Sequence, residues 1–473
     1  MSEKDDKDLQ ETGSNRKGID RRDILQGMAT LPVIGLFGYA VHKQVSYENA
    51  QVAQTLGTAQ ASNLREVNVA LLGAGAQGQV LLDAMLKCPN VRFKAVCDIW
   101  TDYNLKKVVN ILKKYNFDVN GYEDYREMLD KEKDIEAVVI ATPDFWHAQH
   151  TVDCLKAGKH VYCEKEMSNT LEGARQMVLT ARETGKLLQI GHQRRSNPRY
   201  RYCYNKIIKE AKLLGRIVTI NGQWNRAVQP DLGYPKRYEI PAEKLKKYGF
   251  KNMNQFRNWR WYKGLGGGPI VDLGSHQIDI YGWFLDARPT ALIASGGHDY
   301  YPSETREWYD TAMVIYEYEI PEGHARGYYQ TQTTNSSLGY FERFMGDQGT
   351  LVISESDANY ANAIYREVTA PPWDEWVQKG YVTAPKVAEV KEAKAVLDVR
   401  ESVSPDEHKI PIEFVDLYHR PHLLNFFNAV RGLEKLNCPA EVGYETAVTV
   451  LKANEAIEAG RRLEFRPDEF EVS

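Results

Sequence analysis

Residues 67–98 read VNVALLGAGAQGQVLLDAMLKCPNVRFKAVCD, and this stretch decides the fold. Val67–Leu72 is a mostly apolar run of strand length, and Gln79–Leu86 continues as a helix with its apolar side inward. Between them Gly73-Ala74-Gly75-Ala76-Gln77-Gly78 places a GxGxxG at a strand-to-helix turn. Gly73 permits the tight turn, Gly75 lets a pyrophosphate approach the backbone, and Gly78 lets helix and strand pack closely. The helix N-terminus, opening at Ala76 and Gln77, then faces the negative phosphates. A second strand, Arg92–Cys97, ends in Asp98, twenty residues beyond Gly78, where a carboxylate can hold both ribose hydroxyls of NAD. The neighbours Ile99 and Trp100 offer no cation for a 2′-phosphate, so NAD is expected rather than NADP.

Strand and helix signals alternate onward from there. Leu105–Tyr115 reads as a helix, Ile135–Ala141 as a strand, Ala148–Lys156 as a helix, His160–Cys163 as a strand, Leu171–Thr184 as a helix and Leu187–Ile190 as a strand. This predicts an α/β fold whose first domain, residues 65–192, is a doubly wound parallel Rossmann sheet. From Arg216 the pattern changes to long strands without intervening helices: Ile217–Trp224, Ala291–Gly296, Thr311–Tyr318, Ala325–Thr333, Gly339–Met345 and Thr350–Ser354. Residues 193–473 are therefore expected to form a second α/β domain around a large, mostly antiparallel open sheet. His419–Arg431 and Ala447–Ala459 read as its closing helices; residues 366–411 are irregular and charged, and the segment Val228–Phe256 is a charged, Tyr- and Pro-bearing insertion.

The bulk numbers fit such a chain. Its 473 residues are too many for one core, and 43% hydrophobic with 26% charged residues is ordinary for a soluble protein. A net charge of −4, from 60 basic and 64 acidic residues, argues against a nucleic-acid partner. The six cysteines form no CxxC pair and no His/Cys cluster has zinc-ligand spacing, so no metal site is expected. Cys97 and Cys163 sit in apolar runs and read as buried, inert thiols.

Residues 1–42 read as an address. A polar start is followed by Asp20-Arg21-Arg22-Asp23-Ile24-Leu25 and a weakly apolar stretch to Val41, which resembles a twin-arginine export signal. Gln26, Gly27, Pro32 and Gly35 interrupt that stretch and make it a poor permanent span, leaving cleavage and membrane tethering both open. Residues 43–64 read as a linker. The expectation is a periplasmic or exported protein, handled by the twin-arginine machinery, which carries folded cargo. A nucleotide-dependent enzyme exported this way would have to fold around its cofactor and keep it tightly bound.

Three segments carry chemistry. Ala141-Thr142-Pro143-Asp144-Phe145-Trp146-His147 and Tyr162-Cys163-Glu164-Lys165-Glu166-Met167 stand at successive strand ends, on the cofactor side of the sheet. The third is Gly266-Gly267-Gly268-Pro269-Ile270-Val271-Asp272-Leu273-Gly274-Ser275-His276. Ordered GxGxxG, TPxxxH, EK and DxGxH blocks resemble the Gfo/Idh/MocA family of oxidoreductases over about residues 65–290, and more loosely to Arg466.

The resemblance implies that Lys165, Asp272 and His276 surround a substrate hydroxyl beside the nicotinamide. His276 would remove the hydroxyl proton, Lys165 would steady the developing negative charge, and Asp272 would orient substrate or favour the imidazolium. Thr142, Pro143, His147 and Glu164 would line the nicotinamide side. A helical segment would put Asp272 one turn before His276, on the same face. The chain departs from the pattern at Glu166, which stands where the family has a proline that constrains the backbone aiming the lysine. The family also implies homo-oligomers through the C-terminal sheet. Arg194, Trp259 and Tyr262, in polar and aromatic stretches, are candidates for holding a carbohydrate.

Three readings follow. The leading one is a dehydrogenase of a sugar, polyol or glycoside hydroxyl. The second is an NAD-dependent glycoside hydrolase or lyase using transient oxidation with no net redox change. The third is a non-catalytic sugar or nucleotide sensor, against which the intact Lys165, Asp272 and His276 speak.

Overall fold

The computed structural model describes residues 64–356, 362–386 and 405–473. The twin-arginine motif and the linker up to residue 63 lie outside the described residues. Strands β1 (Val67–Leu72), β2 (Val91–Cys97), β3 (Asn120–Tyr122), β4 (Ala137–Ile140), β5 (His160–Cys163) and β6 (Leu188–Ile190) form one parallel sheet in the order β3-β2-β1-β4-β5-β6. Helices cover both faces, so β4 is buried at all four positions, and continuous apolar runs rather than alternation mark these strands.

The second sheet has nine strands in the order β14-β13-β12-β11-β7-β10-β9-β8-β15. Its members are β7 (Ile217–Asn225), β8 (Pro289–Gly297), β9 (Thr311–Ile320), β10 (Gly323–Gln332), β11 (Tyr340–Gly346), β12 (Gly349–Ile353), β13 (Ala363–Arg366), β14 (Asp406–Lys409) and β15 (Leu463–Glu464). Only β7 and β10 pair in parallel; the remaining pairs are antiparallel. One face is packed and the other is open to solvent, which β9 records as alternating buried and exposed positions.

Several expectations are corrected. The helix Asp144–Lys156 begins four residues earlier than expected, because extended Pro143 (φ −62°, ψ 149°) stops the preceding strand and opens the helix directly. The closing helix is Ala440–Ala459, not 447–459. Gly443 weakens its sequence signal, yet a Cβ there would lie 2.5 Å from Ile190, so glycine is what allows helix and strand to touch. Residues 366–411 are not wholly irregular, since β14 pairs with β13. Nor is the second domain's start free of helices: Ala242–Lys247, Met253–Arg257 and Ser275–Leu285 precede β8.

The linear division at residue 192 also needs amendment. The helix Arg420–Val430 returns to the nucleotide-binding sheet, where Leu423, Phe426 and Phe427 share a core with Val67, Val139 and Tyr162. It closes a face that the first domain's own helices leave open. All six cysteines are buried and unpaired.

Candidate active site

The C-terminal ends of β1, β4, β5 and β6 meet along one edge, where the strand order reverses between β1 and β4. The glycine turn lies at its centre. Gly73 has φ +96°, and a Cβ on it would come 2.6 Å from Ala141 O; one on Gly78 would come 1.9 Å from Gly73 O. Gly75 differs, because a Cβ there would meet nothing within 4 Å. Two glycines are therefore demanded by packing, and the third leaves space above the start of the Ala76–Leu86 helix. That open cradle at a helix N-terminus fits a pyrophosphate.

Asp98 clamps the same turn. Its Oδ2 accepts from the Ala74 N–H and its Oδ1 from the Trp100 N–H, each at 2.7 Å. It is a positioning group first, with further lone pairs left for a ribose. On the other side Gln77 Nε2 donates to Glu164 Oε1 at 3.1 Å and stands 3.0 Å from His419 Nε2. Gln77, Glu164 and His419 thus form a polar collar beside the turn. His419 arrives from the last eighth of the chain, and no local motif marks it.

The strand-end turns are tied together by His147. Its Nδ1 is 2.7 Å from Glu166 O and its Nε2 is 2.7 Å from Thr142 O. With both ring nitrogens facing backbone carbonyls, one of them as donor, His147 does not present itself to a cofactor. It fixes the turn containing Thr142 and Pro143 against the one containing Lys165. Thr142 Oγ1 lies 3.0 Å from His150 Nδ1, and the Lys165–Glu166 peptide bond is cis.

Lys165 and Asp272 come together here, 107 positions apart. Lys165 Nζ donates to Asp272 O at 2.5 Å and stands 3.5 Å from Oδ1, which also accepts from Arg260 Nε at 3.2 Å. Burial alone would raise the Asp272 carboxyl, but Arg260, Lys165 and Arg226 outweigh it and hold it well below the usual range.

Of the two roles expected of Asp272, orienting substrate or favouring an imidazolium at His276, the second is corrected. Ile270–Gly274 is π-helical and the α-helix starts only at Ser275, so the wider turn breaks the one-turn relationship. No hydrogen bond joins the two side chains among the described residues. His276 packs instead against Trp224, with ring centroids 5.3 Å apart, and its Nδ1 is buried without a partner. Burial first, then the charges of Lys165 and Arg194, push its pKa well below 6.5 and keep the ring neutral.

Other unpaired polar atoms gather at the same edge: Asp144 Oδ2, Glu166 Oε2 and both ring nitrogens of His192. Buried polar groups are ordinarily satisfied within a fold, so these atoms keep hydrogen-bonding capacity that a polar ligand could use. Burial, then the Asp272 charge, raises Asp144 to about 7; burial raises Glu166 to about 8. The replacement of the family proline therefore contributes a carboxyl that is neutral over much of the physiological range.

Arg194, Trp259 and Tyr262 are corrected as carbohydrate contacts. Arg194 is 1% exposed, bonded to Glu342 and, at 2.9 Å, to Glu355. Trp259 lies in an apolar cluster with Trp100, Ile240, Leu245, Phe250, Met253 and Leu265, and the Tyr262 hydroxyl donates to Asn254 at 3.0 Å. That cluster is the inner side of the Val228–Phe256 insertion, which packs onto the first domain. Trp100 Nε1 donates to Tyr238 O, Trp146 Nε1 to Tyr248 O at 3.2 Å, and Lys244 pairs with Glu123 at 2.7 Å. Arg257, directly after the insertion, lies over the Trp100 ring, 5.4 Å away, and is close enough to feel Asp98, a cation that the local sequence conceals.

The comparisons agree with this geometry. Residues 67–192 match the model described as "Oxidoreductase family, NAD-binding Rossmann fold", and residues 206–352 match the "GFO/IDH/MocA C-terminal domain"; together they span more than half of the chain. A 4-carboxy-2-hydroxymuconate-6-semialdehyde dehydrogenase of a Sphingobium species is 31% identical over 30% of this chain and 43% of its own length. A scyllo-inositol 2-dehydrogenase (NADP(+)) of Bacillus subtilis is 29% identical over 45% of this chain and 50% of its own. The chain thus spans about half the length of these curated relatives. Among solved structures, the WlbA dehydrogenase of Bordetella pertussis, in complex with NADH and UDP-GlcNAcA, superposes with a TM-score of 0.62 at 17% identity, over 85% of this chain and 99% of that one, which establishes the shared fold. On the strength of both domain matches, the chain belongs to the Gfo/Idh/MocA family of oxidoreductases.

Proposed function

We propose that this protein is an exported oxidoreductase that removes hydride from a CH–OH group of a sugar, polyol or glycoside, using a tightly held NAD. The single observation that carries the reading is the pairing of Lys165 with Asp272, with the unpartnered His276 close enough to feel the Lys165 charge, near an open glycine cradle. Gly73, Gly75, Ala76, Gln77 and Gly78 would hold the pyrophosphate. Asp98 would reach one ribose, and Glu164 with Gln77 and His419 the other. Thr142 and Pro143 would flank the nicotinamide. Asp98 favours NAD over NADP by charge, while Lys244 is already paired with Glu123. When bound, the nicotinamide supplies the hydride acceptor.

This chain's own groups supply the rest. Lys165 Nζ, pinned by Asp272, donates to the substrate oxygen and steadies charge that develops there. His276, neutral and carrying a free ring nitrogen, accepts the hydroxyl proton. His192, with both ring nitrogens unpaired and its pKa lowered by burial to about 4, lies close enough to feel Lys165 and can accept a hydrogen bond from a second hydroxyl. The insertion buries Trp100, hydrogen-bonds Trp146 and would slow release of the adenosine end.

Export rests on Arg21-Arg22 and the apolar stretch after them. A homo-oligomer through the second sheet is supported by the exposed apolar row Ile293, Met313 and Ile315 on its open face. A redox-neutral glycoside hydrolase or lyase is the second reading. Asp144 favours it, since a carboxyl near 7 with a free Oδ2 suits protonation of a departing group.

The test is to purify the protein without added nucleotide, read bound NAD by absorbance, and add sugars and aryl-glycosides singly. Stoichiometric NADH with an oxidised sugar supports the first reading. Aglycone release with no net NADH supports the second. Inertness to every sugar, with unchanged behaviour of His276→Ala, favours the sensor and ends both.

A further inference from the structure

The site is unusually rich in positive charge. Lys165 and Arg260 both address Asp272 Oδ1, at 3.5 and 3.2 Å. Arg226 follows β7 immediately, two residues after Trp224, and side chains two apart in a strand share a face. That face looks toward the Ser275–Leu285 helix: Gly222 meets the Tyr281 ring and Trp224 meets the His276 ring. Arg226 therefore extends the row that carries the His276 wall, with its guanidinium carbon 5.3 Å from the Trp224 ring centre.

Its backbone is committed, since Arg226 N donates to Gln332 O at 2.9 Å, but its side chain makes no hydrogen bond or ion pair among the described residues. It is partly buried, close enough to Asp272 and Arg260 to feel both, and burial lowers its pKa. Asp272 has already been taken by two other cations. The guanidinium keeps some access to solvent, and with no protein acceptor among the described residues its N–H donors stand open to a ligand's oxygens.

The balance of charge agrees. Three cations face the firmly ionised Asp272, while burial raises the neighbouring carboxyls of Asp144, Glu164 and Glu166. We infer that the substrate is an anionic sugar, bearing a carboxylate or phosphate ester that docks on Arg226 and Arg260 while the hydroxyl to be oxidised lies at Lys165 and His276. A planar fork of N–H donors suits either anion. This rests on the dehydrogenase reading for the second half of the statement, whereas the anion-binding half can be measured by itself.

The experiment uses the cofactor-loaded full chain and matched probes: glucose, glucuronate and glucose 6-phosphate. Binding is read from tryptophan fluorescence and turnover from NADH absorbance, with Arg226→Met and Arg226→Lys beside the wild type. Wild type should bind one of the two anionic probes at least tenfold more tightly than glucose, and which one identifies the anion. Arg226→Met, which keeps the stem on Trp224, should reduce that preference to within twofold with bound NAD unchanged, and Arg226→Lys should restore part of it.

Equal binding of all three probes, or a preference that survives Arg226→Met, overturns the inference even if NADH forms with neutral sugars and the dehydrogenase reading stands. A preference that disappears in Arg226→Met supports the anion site even if no probe yields NADH, in which case the dehydrogenase reading loses support instead.

Discussion

Lys165 Nζ and the Asp272 carbonyl lie 2.5 Å apart, joining the end of β5 to the short π-helix that precedes Ser275–Leu285. The contact ties the end of β5 to the segment that leads into His276, and under the proposed function it holds the lysine at the substrate. Lys165→Met should therefore leave the fold and the bound NAD in place and lower kcat by roughly 10²- to 10³-fold, the usual loss when one stabiliser of developing charge is removed. Steady-state kinetics beside the NAD content of the purified variant checks this; full activity would remove Lys165 from the chemistry.

The glycine turn separates packing from binding. Gly75→Val puts a Cβ where no protein atom lies within 4 Å, and Gly75 already has φ −70°, so the melting temperature should shift by no more than about 3 °C. NAD content should nevertheless fall at least tenfold. Gly78→Ala drives a methyl to 1.9 Å from Gly73 O and should destabilise the fold by about 2 kcal/mol or more. Thermal unfolding of the two variants side by side distinguishes them.

Much of this was legible in residues 67–190, because a parallel sheet buried on both faces writes its strands as short apolar runs between glycine turns. The GxGxxG, Asp98, Lys165 and His276 positions follow from that pattern together with the family resemblance. What stayed hidden was non-local. His419 reaches Gln77 across 342 positions, and the Arg420–Val430 helix joins a core begun at Val67. α-Helical spacing would let Asp272 favour an imidazolium at His276, and the π-turn instead leaves its carboxylate with Lys165 and Arg260. Arg194, Trp259 and Tyr262 looked like sugar contacts because burial cannot be read from a polar or aromatic residue type alone.

Arg194 makes that point measurable. Its guanidinium is buried between Glu342 and Glu355, so Arg194→Met would leave two buried carboxylates without a cation. The expected loss is roughly 3–5 kcal/mol, as for other broken buried pairs. Chemical denaturation reads it. A stable variant with a raised KM would return Arg194 to the substrate site.

Glu166 carries a pH signature. Burial raises its folded pKa from 4.5 to about 8, so the folded protein holds a proton that the unfolded chain releases. Its contribution to stability is complete below pH 4.5 and is lost as pH rises through about 8. His147, lowered by burial to about 4, acts in the opposite direction but only below 6.5. Between pH 6.5 and 8 the wild type should therefore lose stability relative to Glu166→Gln. Parallel pH dependences of the two would show that the carboxyl is ionised in the fold.

The most direct test of the hydride-transfer account is a single turnover of NAD-loaded protein with the sugar it oxidises, followed by the absorbance of reduced nicotinamide in wild type and in His276→Ala. The account predicts one equivalent of reduced cofactor in the wild type, and a rate at least about 10²-fold slower in a variant that still holds its NAD. Reduction at the same rate without the imidazole, or no reduction in the wild type by a sugar shown to bind, would contradict it.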